Sequence, residues 1–163
     1  MPTASEPNPV DLTTAQDRFI ATWGQMGSTW GISRTMAEVH ALLFITGVPL
    51  CTDEVMDRLK ISRGNASMSL RALVDWGIVQ RAHKRGDRKE YFQAEQDVWA
   101  VVQAIVRERM KREVQPAMVG LFELRDLTRH DRPPETAARN ARIDSMLGLL
   151  EAVDQLGQKL TEA

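Results

Sequence analysis

Apolar residues recur at helical spacing near the N-terminal end of the chain. They lie three or four residues apart, at Phe19, Trp23, Met26 and Trp30. This spacing predicts a helix with one narrow apolar stripe, of the kind that packs against another helix. Gly24 and Gly27 permit a close backbone approach along this helix, and Gly31 is expected to end it.

A second helix is predicted from Thr35 to about Thr46. Thr35 and Glu38 have the spacing of a capping box, in which the hydroxyl and the carboxylate each satisfy a free amide at the start of the helix. The residues that follow are apolar almost without interruption, which indicates central burial. Gly47 and Pro49 then break the helical pattern.

The middle of the chain predicts two helices joined by a tight link. The first is short and opens at Thr52, whose hydroxyl can cap it. Ser62 is a suitable cap for the second, which runs from Arg63 to about Trp76. One face of the second helix is apolar and is expected to point into the core: Ala66, Leu70 and Leu73.

A strand-like alternation follows these two helices. Residues 78–84 and 89–93 are predicted to form two strands, joined by a turn over residues 85–88. A helix-turn-helix followed by such a ribbon is a winged helix-turn-helix. The predicted fold class is therefore mostly α, a winged helix-turn-helix with a two-stranded β wing, flanked by N- and C-terminal dimerisation helices.

Helical patterns occupy the rest of the chain. One begins at about Gln96 and continues past Pro116, which should kink it because proline lacks the amide that would bond the Arg112 carbonyl. A last helix is predicted from about Glu135 to Leu160. Its apolar stripe consists of Ile143, Met146, Leu150, Val153 and Leu160.

These patterns divide the chain into four parts. Residues 1–10 are predicted to be a disordered arm and 11–31 an N-terminal dimerisation helix. Residues 32–94 are predicted to form a winged helix-turn-helix DNA-binding domain, and 95–163 a C-terminal helical dimerisation region. The two apolar stripes can pack within one chain, form a dimer interface, or both. We expect both, because a small winged core leaves few other surfaces to bury them.

Charge is unevenly distributed along the chain. The 163 residues include 21 Lys/Arg and 22 Asp/Glu, a net charge of −1, which excludes a uniformly basic coat for nucleic acid. Residues 60–89 alone carry eight Lys/Arg and two Asp/Glu. This basic segment coincides with the second middle helix and the wing, where it can form a localised anion-binding surface.

The predicted winged helix indicates DNA binding. A helix of this length fits the major groove and presents the side chains of its first turns to base edges, where Arg can pair with guanine and Asn with adenine. The expected DNA-binding residues of the helix are Ser62, Arg63, Asn65, Ser67 and Arg71. The wing is expected to contact phosphates or the adjacent minor groove. Its candidate residues are Lys84, Arg85, Arg88 and Lys89.

Residues 52–93 resemble the winged helix of MarR-type transcriptional regulators. The resembling segments are Thr52–Val55, Ile61–Arg71, Trp76–Val79 and Gly86–Phe92. The similarity is closest to the branch typified by GbsR, the glycine-betaine-synthesis regulator, and extends weakly from about Phe19 to Leu124. It implies a homodimer, built from the terminal helices, that binds a pseudo-palindromic operator in double-stranded DNA and represses nearby genes. In related wings an Asp–Arg pair supports the tip, which here would be Asp87 and Arg88.

Many regulators of the resembling kind respond to a small molecule. A candidate effector pocket is expected between the helical platform and the winged domain, lined by Trp23, Met26, Trp30, Phe44 and Trp99. Aromatic faces can hold a quaternary ammonium through cation–π attraction, which the GbsR-like branch makes worth testing. Aromatic residues at helical spacing are also ordinary core residues, and that alternative stays open.

No feature of the sequence predicts catalysis, a cofactor or a metal site. Nucleotide-binding loops and nucleophile elbows are absent, the three histidines show no ligand spacing, and a single cysteine, Cys51, excludes a disulfide within the chain. No apolar run is long enough to span a bilayer and no signal peptide is recognisable, so a cytoplasmic protein is expected. The alternative functions are a winged-helix protein-interaction module without specific DNA binding and, with less support, a helical ligand-binding protein that never contacts DNA.

Overall fold

Helices dominate the computed structural model, which describes residues 11–130 and 133–163. The predicted disordered arm, residues 1–10, lies outside the described residues. The elements are, in chain order, α1 Leu12–Thr29, α2 Arg34–Thr46, β1 Leu50–Cys51, α3 Thr52–Leu59, α4 Arg63–Asp75, β2 Val79–Ala82, β3 Tyr91–Ala94, α5 Val98–Arg109, α6 Gln115–Leu127 and α7 Pro134–Glu162. They fall into two units that divide between Asp97 and Val98. The prediction of a mostly helical winged helix-turn-helix is confirmed.

Glycines line the face on which α1 packs against α2. The buried residues of α1 are Ile20, Gly24 and Gly27. A Cβ added to Gly27 would lie 2.6 Å from the Cβ of Ala37, so the approach of the two helices depends on glycine at this position. Two members of the apolar stripe predicted for α1 also contact α2, because the Phe19 ring lies 6.1 Å from the Phe44 ring and Trp23 donates a hydrogen bond to His40. The other two, Met26 and Trp30, are 40% and 67% exposed, so the predicted stripe packs against α2 only in part.

The start of α2 differs from the predicted capping box. Ser33 is the cap, and its hydroxyl accepts a hydrogen bond from the Met36 amide at 3.4 Å. Thr35 already lies within the helix, and Glu38 forms an ion pair with Arg34 at 2.8 Å instead of reaching back to a cap. The predicted central burial of α2 is confirmed by four side chains that are at most 1% exposed: Val39, Ala41, Leu42 and Leu43.

Helices α3 and α4 form the helix-turn-helix. At the start of α3 the Cys51 amide donates to the Glu54 carboxylate at 2.8 Å, so the cap lies one residue before the predicted Thr52. Ser62 accepts a hydrogen bond from the Asn65 amide at 3.2 Å, as predicted for the cap of α4. The predicted inner face of α4 is confirmed by three side chains that are at most 1% exposed: Ala66, Leu70 and Leu73.

The wing belongs to a three-stranded sheet, whereas the sequence predicts two strands. Strand β3 is central and pairs antiparallel with β1 on one side and β2 on the other. In β1, Leu50 is opposite Phe92 and Cys51 is opposite Tyr91. Strand β1 is only two residues long, too short to show an alternating pattern, and the sequence therefore predicts only a chain break there.

The second unit contains α5, α6 and α7. A π-helical turn over Met110–Val114 joins α5 to α6 and ends two residues before Pro116. The irregularity predicted near Pro116 is present as this wider turn, because the proline has no amide to offer the Arg112 carbonyl. Helix α7 packs against the turn at Gly157, where an added Cβ would lie 2.7 Å from Cγ of Met110.

Two features are absent from the described residues, a membrane-spanning helix and a cluster of metal-binding side chains. None of their helices is long and apolar enough to cross a membrane. The same residues hold no group of three or more His, Cys, Asp or Glu side chains that could bind a metal ion. The Cys51 thiol is free and buried.

Candidate nucleic-acid interface

The outward face of α4 lies opposite its core face. Helical geometry places positions 64, 68, 71 and 75 on this outward face, and all four are exposed. Of the predicted readers, Arg71 lies on the face itself. The others lie on its two flanks, Arg63 and Ser67 on one side and Asn65 on the other. Arg63 and Asn65 are exposed, whereas Ser67 is half-buried.

Met68 is not among the DNA-binding residues predicted from the sequence, although the helical spacing of α4 places it opposite the predicted core face. It lies on the outward face between Gly64 and Arg71, and its side chain is 64% exposed. Between residues 49 and 97, all of which the structure describes, Met68 is the only exposed large hydrophobic residue. Its helical spacing from Gly64 and Arg71 is the signal that could have identified it. A search for polar readers alone does not detect that signal.

The Arg63 guanidinium is held by helix α3. Its Nη2 donates a hydrogen bond to the carboxylate of Asp53 in the first turn of α3. The two side chains are 65% and 50% exposed. An exposed ion pair of this kind contributes at most about 1 kcal/mol, so a base or a phosphate can replace Asp53 as the partner of Arg63.

A tight turn shapes the tip of the wing. The Asp87 amide donates to the Lys84 carbonyl at 3.0 Å, and Gly86 within the turn has φ +84°, which glycine adopts without strain. The Asp87 carboxylate accepts hydrogen bonds from the Lys89 amide at 2.9 Å and from the Tyr91 hydroxyl at 2.6 Å. These bonds tie the turn to strand β3.

Hydrogen bonding at the wing changes the acidity of two side chains. The Tyr91 hydroxyl, followed by the Lys89 amide, holds the pKa of Asp87 below its usual value. The same bond raises the pKa of Tyr91 to about 12, because losing the proton would place a second negative charge beside the carboxylate. The Arg88 side chain, which the resemblance implies as the partner of Asp87, is exposed and forms no ion pair with another described residue.

Basic side chains on the wing are only partly paired within the protein. Nζ of Lys84 lies 4.2 Å from the centre of the Tyr91 ring. Arg81 on β2 forms an ion pair with Glu90, which directly precedes β3. Arg85, like Arg88, is exposed without an ion pair to any described residue. Guanidinium groups in this state can bind phosphate.

The candidate DNA-binding residues form two separate groups. Arg63 contacts α3, whereas Lys84 and Lys89 contact Tyr91 and Asp87 within the wing. No hydrogen bond or ion pair between described residues joins the readers on α4 to the wing. The two groups are connected through the backbone, because α4 leads into β2 at Gly77, whose φ is +79°.

An aromatic cluster brings together two of the five predicted effector-pocket residues, Trp23 and Phe44. The Phe19 ring lies between them, with its centre 6.2 Å from the Trp23 ring and 6.1 Å from the Phe44 ring. The other three predicted residues are exposed: Met26 on α1, Trp30 directly after α1, and Trp99 on α5 in the second unit. The pocket as a whole stays a prediction.

His40 is the polar member of this cluster. Its Nδ1 accepts a hydrogen bond from Nε1 of Trp23 at 3.2 Å, so the neutral ring carries its proton on Nε2. Nε2 is buried and has no hydrogen-bond partner among the described residues. Burial lowers the pKa of His40 to about 4, which keeps the ring neutral near pH 7.

A family model described as the MarR family matches residues 30–90. This match covers helices α2, α3 and α4 and continues through the wing turn. Residues 30–90 are called the MarR-family region below because this family model matches them. The region contains every residue that the sequence predicts to contact DNA.

Curated relatives match longer stretches of the chain than the MarR-family region. The HTH-type transcriptional repressor GbsR of Bacillus subtilis is 24% identical over 112 residues, which cover 69% of this chain and 62% of GbsR. The HTH-type transcriptional regulator MmpR5 of Mycobacterium tuberculosis is 30% identical over 112 residues, covering 66% of this chain and 63% of MmpR5. The chain spans between 46% and 63% of the length of the curated relatives it matches.

A solved structure described as a transcriptional regulator shares the fold. Its TM-score is 0.63 at 22% sequence identity, and the match covers 91% of this chain and 96% of that one. The MarR-family region therefore belongs to a larger fold that another protein also adopts.

Proposed function

We propose that the chain is a dimeric, sequence-specific DNA-binding transcriptional regulator that acts as a repressor. The observation that carries the proposal is a MarR-family region that presents an exposed face on α4 next in sequence to a basic wing. In this proposal the helix reads base edges through Arg63, Asn65, Ser67 and Arg71, and Ser62 caps it close to the phosphates. The wing anchors the DNA backbone through Lys84, Arg85, Arg88 and Lys89.

The second unit supports the dimer. Helix α7 carries a row of large apolar side chains at alternating steps of three and four, each at least 36% exposed: Met146, Leu149, Val153, Leu156 and Leu160. This spacing is that of a helix seam packed against another helix. A second copy of the chain would cover the seam and provide two reading heads for a pseudo-palindromic operator.

A small-molecule effector and membership of the GbsR-like branch are the finer parts of the proposal. The similarity to GbsR and the aromatic cluster around His40 support them, since the cluster holds a buried nitrogen, Nε2 of His40, with no hydrogen-bond partner among the described residues. Choline is the first compound to test, by thermal shift and by its effect on DNA affinity. We expect choline to raise the melting temperature and to weaken DNA binding. If no quaternary ammonium compound has either effect, the effector part of the proposal is wrong.

The proposed function also implies a cellular location, and it includes no catalytic activity. The relatives are bacterial proteins named as transcription regulators. A bacterial regulator meets its operator in the cytoplasm, so the proposal includes a cytoplasmic location and assigns no enzymatic activity.

The test is selection of bound sequences from a random duplex pool with three proteins. These are the wild type, Arg63→Ala, and Arg18→Ala as a matched control, because Arg18 is an exposed arginine on α1 outside the candidate interface. The wild type and the control should enrich one pseudo-palindromic motif, and Arg63→Ala should relax it at two symmetric positions. Salt titration should give a slope of roughly −4 or steeper if about five phosphates are neutralised per dimer. A folded dimer that binds no duplex at low salt would contradict the proposal and favour the protein-interaction module.

A further inference from the structure

Met68 is an apolar side chain on the surface that the proposed function turns towards DNA. It occupies the outward face of α4, opposite the buried residues Ala66, Leu70 and Leu73. A side chain that is 64% exposed at this position adds nothing to the core, and its exposure to water has no structural benefit.

The backbone around Met68 leaves its side chain accessible. Long side chains on a helix lean towards the preceding turn, which here carries Gly64. A Cβ added at Gly64 would meet only Ser62 Oγ, at 4.0 Å, so no side chain covers the surface one turn before Met68. The N-terminal half of α4 thus has a shallow apolar surface flanked by Arg63 and Asn65.

The major groove offers one apolar group to such a surface. Thymine carries a 5-methyl group there, and apolar side chains distinguish thymine by contact with that methyl. We propose that Met68 reads the 5-methyl group of one thymine in each half-site. This inference rests on the proposed function and names a base that the polar readers do not specify.

The test replaces thymine by deoxyuridine, which removes the methyl group and leaves every base-pair hydrogen bond intact. The duplex is the highest-affinity sequence selected by the wild type, with deoxyuridine placed at one symmetric pair of thymines at a time. At one pair, wild-type affinity should fall about fourfold for each half-site, the effect of exposing one buried methyl. The same replacement should change the affinity of Met68→Ala by less than about 1.5-fold.

Two variants keep this test specific. Met68→Leu retains an apolar side chain and should remain sensitive to deoxyuridine. Asp75→Ala changes another exposed side chain on the same outward face and should also remain sensitive. Because Met68 and Asp75 are both exposed, all of these variants should melt within a few degrees of the wild type.

Each outcome separates this inference from the proposed function. Specific binding with no deoxyuridine-sensitive position, a motif without a required thymine, or undiminished sensitivity in Met68→Ala would overturn the role of Met68 and leave the DNA-binding proposal standing. Failure of the wild type to bind any duplex would overturn both.

Discussion

Arg63 has one partner in the free protein and would need another when DNA binds. The Asp53 carboxylate holds the guanidinium from α3. Pairing with guanine uses two donors of the same group, so Asp53 competes with the base. Both side chains are exposed, so either one can be substituted to measure how strongly Asp53 competes with the base for Arg63.

We expect Asp53→Asn to bind the selected duplex about three- to fivefold more tightly than Asp57→Asn, which is the value of releasing one exposed ion pair. Both substitutions remove one negative charge from α3, but Asp57 is exposed and forms no ion pair with a described residue. Fluorescence titration at one salt concentration measures the difference. In an Arg63→Ala background the two variants should become equal. Equal affinities in the wild-type background would show that Asp53 does not restrain Arg63.

The wing can be tested through a single chromophore, because Tyr91 is the only tyrosine in the chain. Its hydrogen bond to Asp87 raises its pKa to about 12, so folding favours the protonated form. The resulting stabilisation is complete below the ordinary pKa of about 10 and is lost as the pH rises towards 12. Ultraviolet titration of tyrosinate should give a midpoint near 12 in the wild type and one shifted towards 10 in Asp87→Ala. A wild-type midpoint near 10, with circular dichroism still native, would contradict the hydrogen bond.

At the scale of elements, the close packing of α1 against α2 depends on glycine, which has no side chain, at position 27. A Cβ at Gly27 would meet the Cβ of Ala37, which is fixed to the α2 backbone and cannot turn aside. The same addition at Gly24 would meet the flexible side chain of Glu38. The packing of these helices is therefore set at Gly27.

Gly27→Ala should destabilise the protein by roughly 1–3 kcal/mol, because the two helices must separate. Gly148→Ala is the matched control on α7, where an added Cβ meets nothing within 4 Å. There alanine should stabilise by up to about 1 kcal/mol through its higher helix propensity. Urea unfolding measures both changes. A neutral or stabilising effect of Gly27→Ala would mean that α1 is not held closely to α2.

At the scale of the whole molecule, the exposed apolar row of α7 is the surface on which the proposed dimer depends. Leu156 is 60% exposed and Leu149 is 59% exposed. Burying one leucine contributes about 1.5–3 kcal/mol, and a two-fold interface would bury each twice. Such a row can hold two copies together without any contribution from the DNA.

We therefore expect Leu156→Glu to weaken the dimer by at least about tenfold and to reduce affinity for the palindromic duplex. Gln155→Glu adds the same charge at the neighbouring exposed position and should leave the dimer intact. Analytical ultracentrifugation over a range of concentrations measures the association. A Leu156→Glu protein that remains as dimeric as the control would show that α7 does not form the interface.

Local patterns were sufficient to predict the reading helix. A serine cap, an apolar face at regular spacing and a terminal glycine are all encoded within 16 residues, so Ser62, Ala66 and Gly77 could be assigned their roles before any fold was known. The basic segment, the sheet return and the long terminal helices follow for the same reason. Each depends only on residues that are close together in the sequence.

The tertiary structure decided what depends on distant partners. Which face of α1 is buried depends on how closely α2 can approach, and so Gly27 prevails over the bulkier Met26 and Trp30. Strand β1 exists only because β3 lies beside it. The helical spacing of α4 already puts Met68 opposite the predicted core face, but only the structure shows that its side chain is 64% exposed. The physical meaning of an apolar residue on a helix depends on whether its face meets another element or the solvent.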